Sequence, residues 1–274
     1  MKVLAVVCIF VVVGIGFVFL RKYVEKAVPV SEKIGLIELV DVPVWVNEPL
    51  KDKIYSAATA YGEDLKLDED VALSVQQNIE TLVSWVDEVK VQTTHDRLLI
   101  KARWRKPIAL IKSGLNKFYV DSEQVVLDFV PITELPIVKL TGLSFITKLP
   151  AAGEMWQRDD LAAAIAILAR LDQMDKLVVL ESPLLYEIDR IDVSNFNGRE
   201  NSRFPHIVFY AKDNTEIIWG AEIGKWQRYL EATDEEKLAK LYSYYKEYGS
   251  LLGGVKYINL REPQGTIPQP VDKY

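Results

Sequence analysis

Residues 85–105, WVDEVKVQTTHDRLLIKARWR, decide the fold, because the spacing of apolar side chains in them is two rather than the helical 3.6. Val89, Val91 and Thr93 alternate with Lys90 and Gln92. After the turn-forming Thr94-His95-Asp96, Leu98, Ile100, Ala102 and Trp104 alternate with Leu99, Lys101, Arg103 and Arg105. Two strands joined by a turn are therefore expected. Upstream the period is helical. Asn47 caps a helix that tolerates Pro49 in its first turn and carries Leu50, Ile54, Ala57 and Tyr61 on one side up to Gly62. Asp68 caps a second helix with Val71, Val75, Ile79 and Leu82 on one side, and Ile34 to Val42 reads as a strand ahead of both. Residues 34–106 thus form an α+β module, ordered strand, helix, helix, strand, strand, whose two helices cover one face of a three-stranded sheet.

Residues 107–262 read as a β-rich domain with flanking helices. Strands are expected at Ile108–Lys112, Lys117–Val120 and Val125–Phe129, followed by a break around Pro131 and Pro136. Asp159 or Asp160 opens a helix through Met174 that packs Leu161, Ile165, Leu168 and Leu171. Strands follow near Tyr186–Val193, Ile207–Ala211 and Glu216–Trp219, with Asp213-Asn214 turning a hairpin between the last two. Thr233 and Glu236 form a capping box for a final helix that turns Leu238, Leu241, Tyr242 and Tyr245 inward and stops at Gly249. A closing strand is expected at Val255 to Leu260. Pro263, Pro268 and Pro270 make residues 263–274 a poor continuation of any central strand.

At the other end, Val3 to Leu20 carries no charge, and as a helix it would be roughly 27 Å long, close to the thickness of a hydrocarbon core. The stretch is longer than a signal-peptide core, and Arg21-Lys22-Tyr23 follows instead of a small-residue cleavage site. Residues 1–22 are therefore expected to be a cytoplasmic tip and transmembrane anchor, with 23–33 as a tether; a buried core helix is the alternative, since soluble helices seldom lack a polar face. Flanking charge does not orient the span, because Lys2 lies on one side and Arg21, Lys22 and Lys26 on the other. The only cysteine, Cys8, lies within it, which is compatible with export.

A net charge of −6 argues against nucleic acid, whose phosphates need a cationic footprint. Arg103, Arg105 and Lys106 are the nearest approach to one, and their spacing makes them the solvated face of a strand. Two histidines, His95 and His206, more than a hundred residues apart make no local metal pair. Ser202, His206 and Asp213 could be assembled into a hydrolytic triad, but no nucleophile elbow surrounds Ser202. Glu181, Glu187, Asp189 and Asp192 could supply an acid and base pair, or simply solubilise one face of a strand. No catalytic, cofactor or metal site is expected, nor a small-molecule substrate; what remains suits a binding scaffold.

One family carries a comparable succession of elements. Trp85-Val86, Val89-Lys90-Val91, Leu98–Arg103, Lys106-Pro107-Ile108-Ala109, Tyr119-Val120-Asp121, Leu135-Pro136-Ile137 and Gly142, then Trp219-Gly220, Lys237-Leu238 and Tyr257-Ile258-Asn259-Leu260-Arg261, resemble in order and spacing the bacterial cell-division proteins of the FtsQ/DivIB family. The sequence departs from the family at Trp104-Arg105, at Ser122-Glu123 in place of a glycine, and at Asn259 in place of an aspartate. The resemblance implies a POTRA domain and a β domain outside the cytoplasm, held by a single-pass helix of type II orientation in the cell inner membrane. It also implies a divisome scaffold for septum formation rather than an enzyme, with partners of the FtsB/DivIC and FtsL type.

In that family a partner adds a strand to the exposed last edge. Carried onto this chain, the resemblance assigns partner binding to Tyr257, Asn259, Leu260, Arg261, Glu262, Gly265 and Ile267, with Pro268 and Pro270, which lack donors, ending the pairing. Two rivals stand beside this expectation: a POTRA-bearing secretion or assembly protein, and a membrane-tethered hydrolase using Ser202 and His206 or the carboxylates near Glu187.

Overall fold

A computed structural model describes residues 36–60, 69–144, 149–204 and 206–263. The first module begins with β1 (Leu36–Val40), followed by α1 (Glu48–Ala58) and α2 (Glu69–Leu82), then β2 (Val86–Thr93) and β3 (Arg97–Trp104). Asn47 caps α1 by accepting the Leu50 amide, and Pro49 lies in its first turn. Tyr61, Gly62 and Asp68 lie outside the described residues. The three strands pair in the order β1-β3-β2, with β1 parallel and β2 antiparallel to the central β3. Burial follows the apolar spacing: Leu50, Ile54, Val75, Ile79, Leu98 and Ile100 are all enclosed. Leu82 departs from its expected stripe and is exposed, because Val83 and Trp85 beyond the helix end close that side of the core.

The second region is one mixed sheet of eight strands. Its members are β4 (Pro107–Ser113), β5 (Asn116–Asp121), β6 (Val126–Asp128), β7 (Val138–Thr141), β8 (Ile188–Asp192), β9 (Ile207–Ala211), β10 (Glu216–Gly220) and β11 (Tyr257–Asn259). They lie in the order β11-β10-β9-β8-β7-β4-β5-β6. The helices α3 (Asp159–Val178) and α4 (Asp234–Tyr248) cover one face. Leu161, Ile165, Leu168, Leu171, Leu238, Leu241, Tyr242 and Tyr245 there meet Ile111, Leu140, Ile191, Phe209, Ile217, Trp219 and Ile258 from the strands. The strand expected from Tyr186 begins at Ile188. Leu184–Glu187 is a 3-10 turn instead, pinned where the Asp175 carboxylate accepts the Leu184 and Leu185 amides at 3.1 and 3.0 Å.

The transmembrane part of the expected fold class is corrected: no helix among the described residues is long and apolar enough to cross a membrane. The longest, α3, has 20 residues but carries Asp159, Asp160, Arg170, Asp172, Asp175 and Lys176. Val3 to Leu20, the stretch expected to span, lies outside the described residues, as do the expected tether and the tail beyond Pro263. The described architecture is α+β in two sheets.

The expectation of a solvated strand face holds for Arg103, which is exposed, and is corrected for Arg105. Arg105 is only 14% exposed at its side chain, and it joins Asp87 of β2 to Asp121 and Glu123 of the second region at 2.7, 2.8 and 2.9 Å. Arg103 reaches Asp87, Glu88 and Glu123, and Lys106 binds Asp172 of α3 at 2.7 Å. These cations fasten the two regions, Arg105 largely out of solvent and Arg103 still exposed, because three carboxylates converge where β3 hands over to β4. Behind the charges the cores merge. Tyr119, Val125, Leu127 and Val130 pack into the same cluster as Trp85, Ile54 and Ile79, with Trp85 edge-on to Tyr119 at 5.9 Å. The small module therefore covers the β5–β6 end of the large sheet on the face opposite α3 and α4.

Candidate functional site: the edge of the last strand

The last strand, β11, stands at the end of the large sheet and pairs only with β10, in parallel. A parallel ladder engages alternate residues of each strand. Here the Glu216 amide donates to the Lys256 carbonyl at 3.1 Å and the Leu260 amide donates to the Ile218 carbonyl at 3.0 Å. Lys256, Ile258 and Leu260 thus turn their backbone inward, while Tyr257 and Asn259 turn theirs to the open side. Side chains follow their own alternation. Ile258 is buried under the helices, whereas Tyr257, half exposed, stands on the uncovered face of the sheet.

The open stretch is short. The Arg261 carbonyl accepts from the Ala232 amide at 2.7 Å, and its amide donates to Asn259 Oδ1 at 3.1 Å. Lys240 Nζ, reaching over from α4, donates to the carbonyls of Asn259 at 3.3 Å and Glu262 at 3.4 Å. What stays unpaired among the described residues is the N–H and C=O of Tyr257 and the N–H of Asn259. Burial pushes the Lys240 ammonium below the ordinary lysine value, against the attraction of Glu262. Glu262 is itself held by Asn259 Nδ2 at 2.9 Å.

A buried charge cluster anchors this edge. Glu231, 3% exposed at its side chain, accepts Lys237 Nζ on Oε2 at 2.7 Å and Arg261 Nε on Oε1 at 2.7 Å. It also accepts the Ala221 amide at 2.9 Å. Lys237 is wholly enclosed, with its ammonium 5.2 Å from the centre of the Trp219 ring. Gly220, at φ +94°, leaves room for the carboxylate, and a Cβ there would overlap it. The loop before α4, the end of β10 and the residue after β11 are drawn together by one carboxylate. Thr233 and Glu236 complete the capping box that starts α4 immediately afterwards.

The structure divides the residues assigned to partner binding. Tyr257 and Asn259 lie on the open edge; Leu260 is buried with its N–H turned inward; Arg261 faces Glu231; Glu262 lies beside Lys240. Gly265 and Ile267 lie outside the described residues. Sequence reasoning passed over Lys240 and Glu231, and it took Lys237 only as part of the Lys237-Leu238 element of the resemblance, without a buried role. One signal for the last was present, because Lys237 falls four residues before Leu241 and so within the apolar stripe of α4.

Of the alternative site residues, Ser202 and His206 both flank Gly198, where a Cβ would meet Ser202 Cβ and His206 Nε2 at 3.5 Å each, but Asp213 does not join them. His206 is buried before β9, edge-on to Tyr229 at 4.4 Å. Asp213 lies beyond the other end of that strand, its carboxylate accepting the Thr215 and Gly253 amides at 2.9 and 2.6 Å. Burial holds His206 below the ordinary histidine value, with Arg261 and Arg228 acting in the same direction and Glu231 opposing. Of the carboxylates, Glu187 accepts Ser250 Oγ and the Leu251 amide, and Asp189 pairs with Lys139 at 2.6 Å. Asp192 accepts Thr141 Oγ1 and the Ser194 amide at 2.7 and 2.9 Å; each of the three is tied to the fold. No group of three or more metal-ligating side chains occurs among the described residues.

No family model matches the chain, and no curated protein is significantly similar to it.

Proposed function

We propose that this protein is a cell-division scaffold of the FtsQ/DivIB type, working on the outer side of the cell inner membrane. It holds septal partners of the FtsB/DivIC and FtsL type and performs no chemistry of its own. The observation that carries this reading is the edge position of β11, where Tyr257 presents an unpaired donor and acceptor. An extended segment from another chain gains main-chain hydrogen bonds there, and its alternate side chains meet the half-exposed Tyr257.

Three measurements test the proposal. Depletion of the protein produces filaments or failed septa if it serves division; unaltered division overturns the assignment. Complementation by a Ser202→Ala, His206→Ala double variant is expected to be complete, and loss of function in that variant favours a hydrolase instead. Protease accessibility in spheroplasts is expected to place residues 36–263 outside the cytoplasm; full protection of them removes the location from the proposal.

A further inference from the structure

We infer that the β11 edge takes an acidic extended segment and that Lys240 is the group that meets its carboxylate, an inference resting on the strand-addition reading above. Lys240 is partly buried, yet among the described residues it is hydrogen-bonded only to the carbonyls of Asn259 and Glu262. A partly desolvated ammonium without a bonded carboxylate is costly unless a neighbour supplies one. Among the described residues no carboxylate bonds the ammonium, although Glu262 attracts it. Glu262 is bound by Asn259, Glu236 by the Thr233 amide, and Glu231 by Lys237 and Arg261. Glu216 pairs across from Tyr257, at the start of the strand, two residues from Asn259. Lys256 is exposed beside them and adds a second positive charge.

The position of Lys240 gives it two states. In the free protein its ammonium occupies the Asn259 carbonyl, an acceptor the strand would otherwise present to any passing chain; a lysine over an edge is a known guard against indiscriminate pairing. An incoming strand bonds the backbone of Tyr257 and the N–H of Asn259, and its own N–H displaces Lys240 from the Asn259 carbonyl. The released ammonium then needs an acceptor. A segment with an aspartate or glutamate opposite Asn259 provides it, while a basic or apolar side chain there leaves the cation stranded, so the same lysine excludes wrong partners and favours right ones.

The test uses the full chain and a phage-displayed library of random ten-residue peptides, selected separately on wild type and on Lys240→Gln. Wild-type selections are expected to enrich Asp or Glu at one position and Lys240→Gln selections to lose that enrichment, with wild-type peptides binding Lys240→Gln about tenfold more weakly. Tyr257→Pro removes an outward donor without touching the bonds to β10, and it should abolish binding; Asn259→Pro does the same should the first variant melt early. Peptides that need the edge but show equal acidity and affinity on Lys240→Gln overturn the role of Lys240 alone. Peptides indifferent to both proline variants, or no peptide at all, overturn strand addition as well.

Discussion

Glu231 is the residue on which the C-terminal edge depends, since its buried carboxylate accepts two cations from different segments. Glu231→Gln leaves Lys237 enclosed and uncompensated, and urea unfolding should register a loss of about 3–5 kcal/mol. A loss below 1 kcal/mol would mean that Lys237 escapes to solvent. His206 lies close enough for Glu231, Arg261 and Arg228 to act on its charge, and its folded-state value is depressed. A base of depressed value takes up its proton less readily in the folded chain than in the unfolded one. Stability therefore falls as pH drops through the unfolded value of about 6.5. His206→Phe keeps the edge-on ring against Tyr229 and should flatten that fall in melting temperature between about pH 7 and 5; an unchanged slope would assign the fall to carboxylates. Little of this is legible in the sequence: Glu231 looks like ordinary helix-start polarity, and the place of Lys237 in the apolar stripe of α4 hints at burial without naming its partner.

Elements with local signals were legible, and those defined by distant neighbours were not. Helix α4 announces both ends, through Thr233 and Glu236 at the start and Gly249 at φ +72° at the stop. Thr233→Ala should cost about 1 kcal/mol and Gly249→Ala about 1–2 kcal/mol, both measurable by thermal melting. By contrast β7, four residues between Pro136 and Gly142, went unrecognised as a strand. It is parallel to both neighbours, β4 and β8, and so short a run offers too few alternations to separate it from a loop. The closing strand was expected at Val255 to Leu260 and pairs over Tyr257–Asn259 only. Its ends are taken up by Gly253 at φ +72° on one side and by the Glu231 anchor on the other. Edge status itself leaves no local mark, because it depends on which strand is missing beside it.

At the scale of the whole molecule, the βααββ order was readable from period alone, but the fastening of that module to the large sheet was not. The alternation that places Arg103 and Arg105 in solvent holds for Arg103; it fails for Arg105 because Asp121 and Glu123 arrive from the next hairpin. Arg105→Ala strips the buried Asp121 of its cation and should lower stability by about 2–4 kcal/mol. It should also separate a single unfolding transition into two, and a single transition shifted by less than 1 kcal/mol would show that the shared core around Tyr119 suffices. Arg103 chiefly, with Arg105, holds the Glu123 carboxyl below its usual range, so this part of the fastening is present at neutral pH and is lost as acid protonates the group.

The far border of the large sheet differs from the one at β11. There β6 is stitched over by the following loop, the Val126 amide donating to Glu154 and its carbonyl accepting from Gly153, at 2.9 and 2.7 Å. With one border closed in this way, β11 is left as the open border of the eight-stranded sheet, and under the proposed strand addition one guest is expected there.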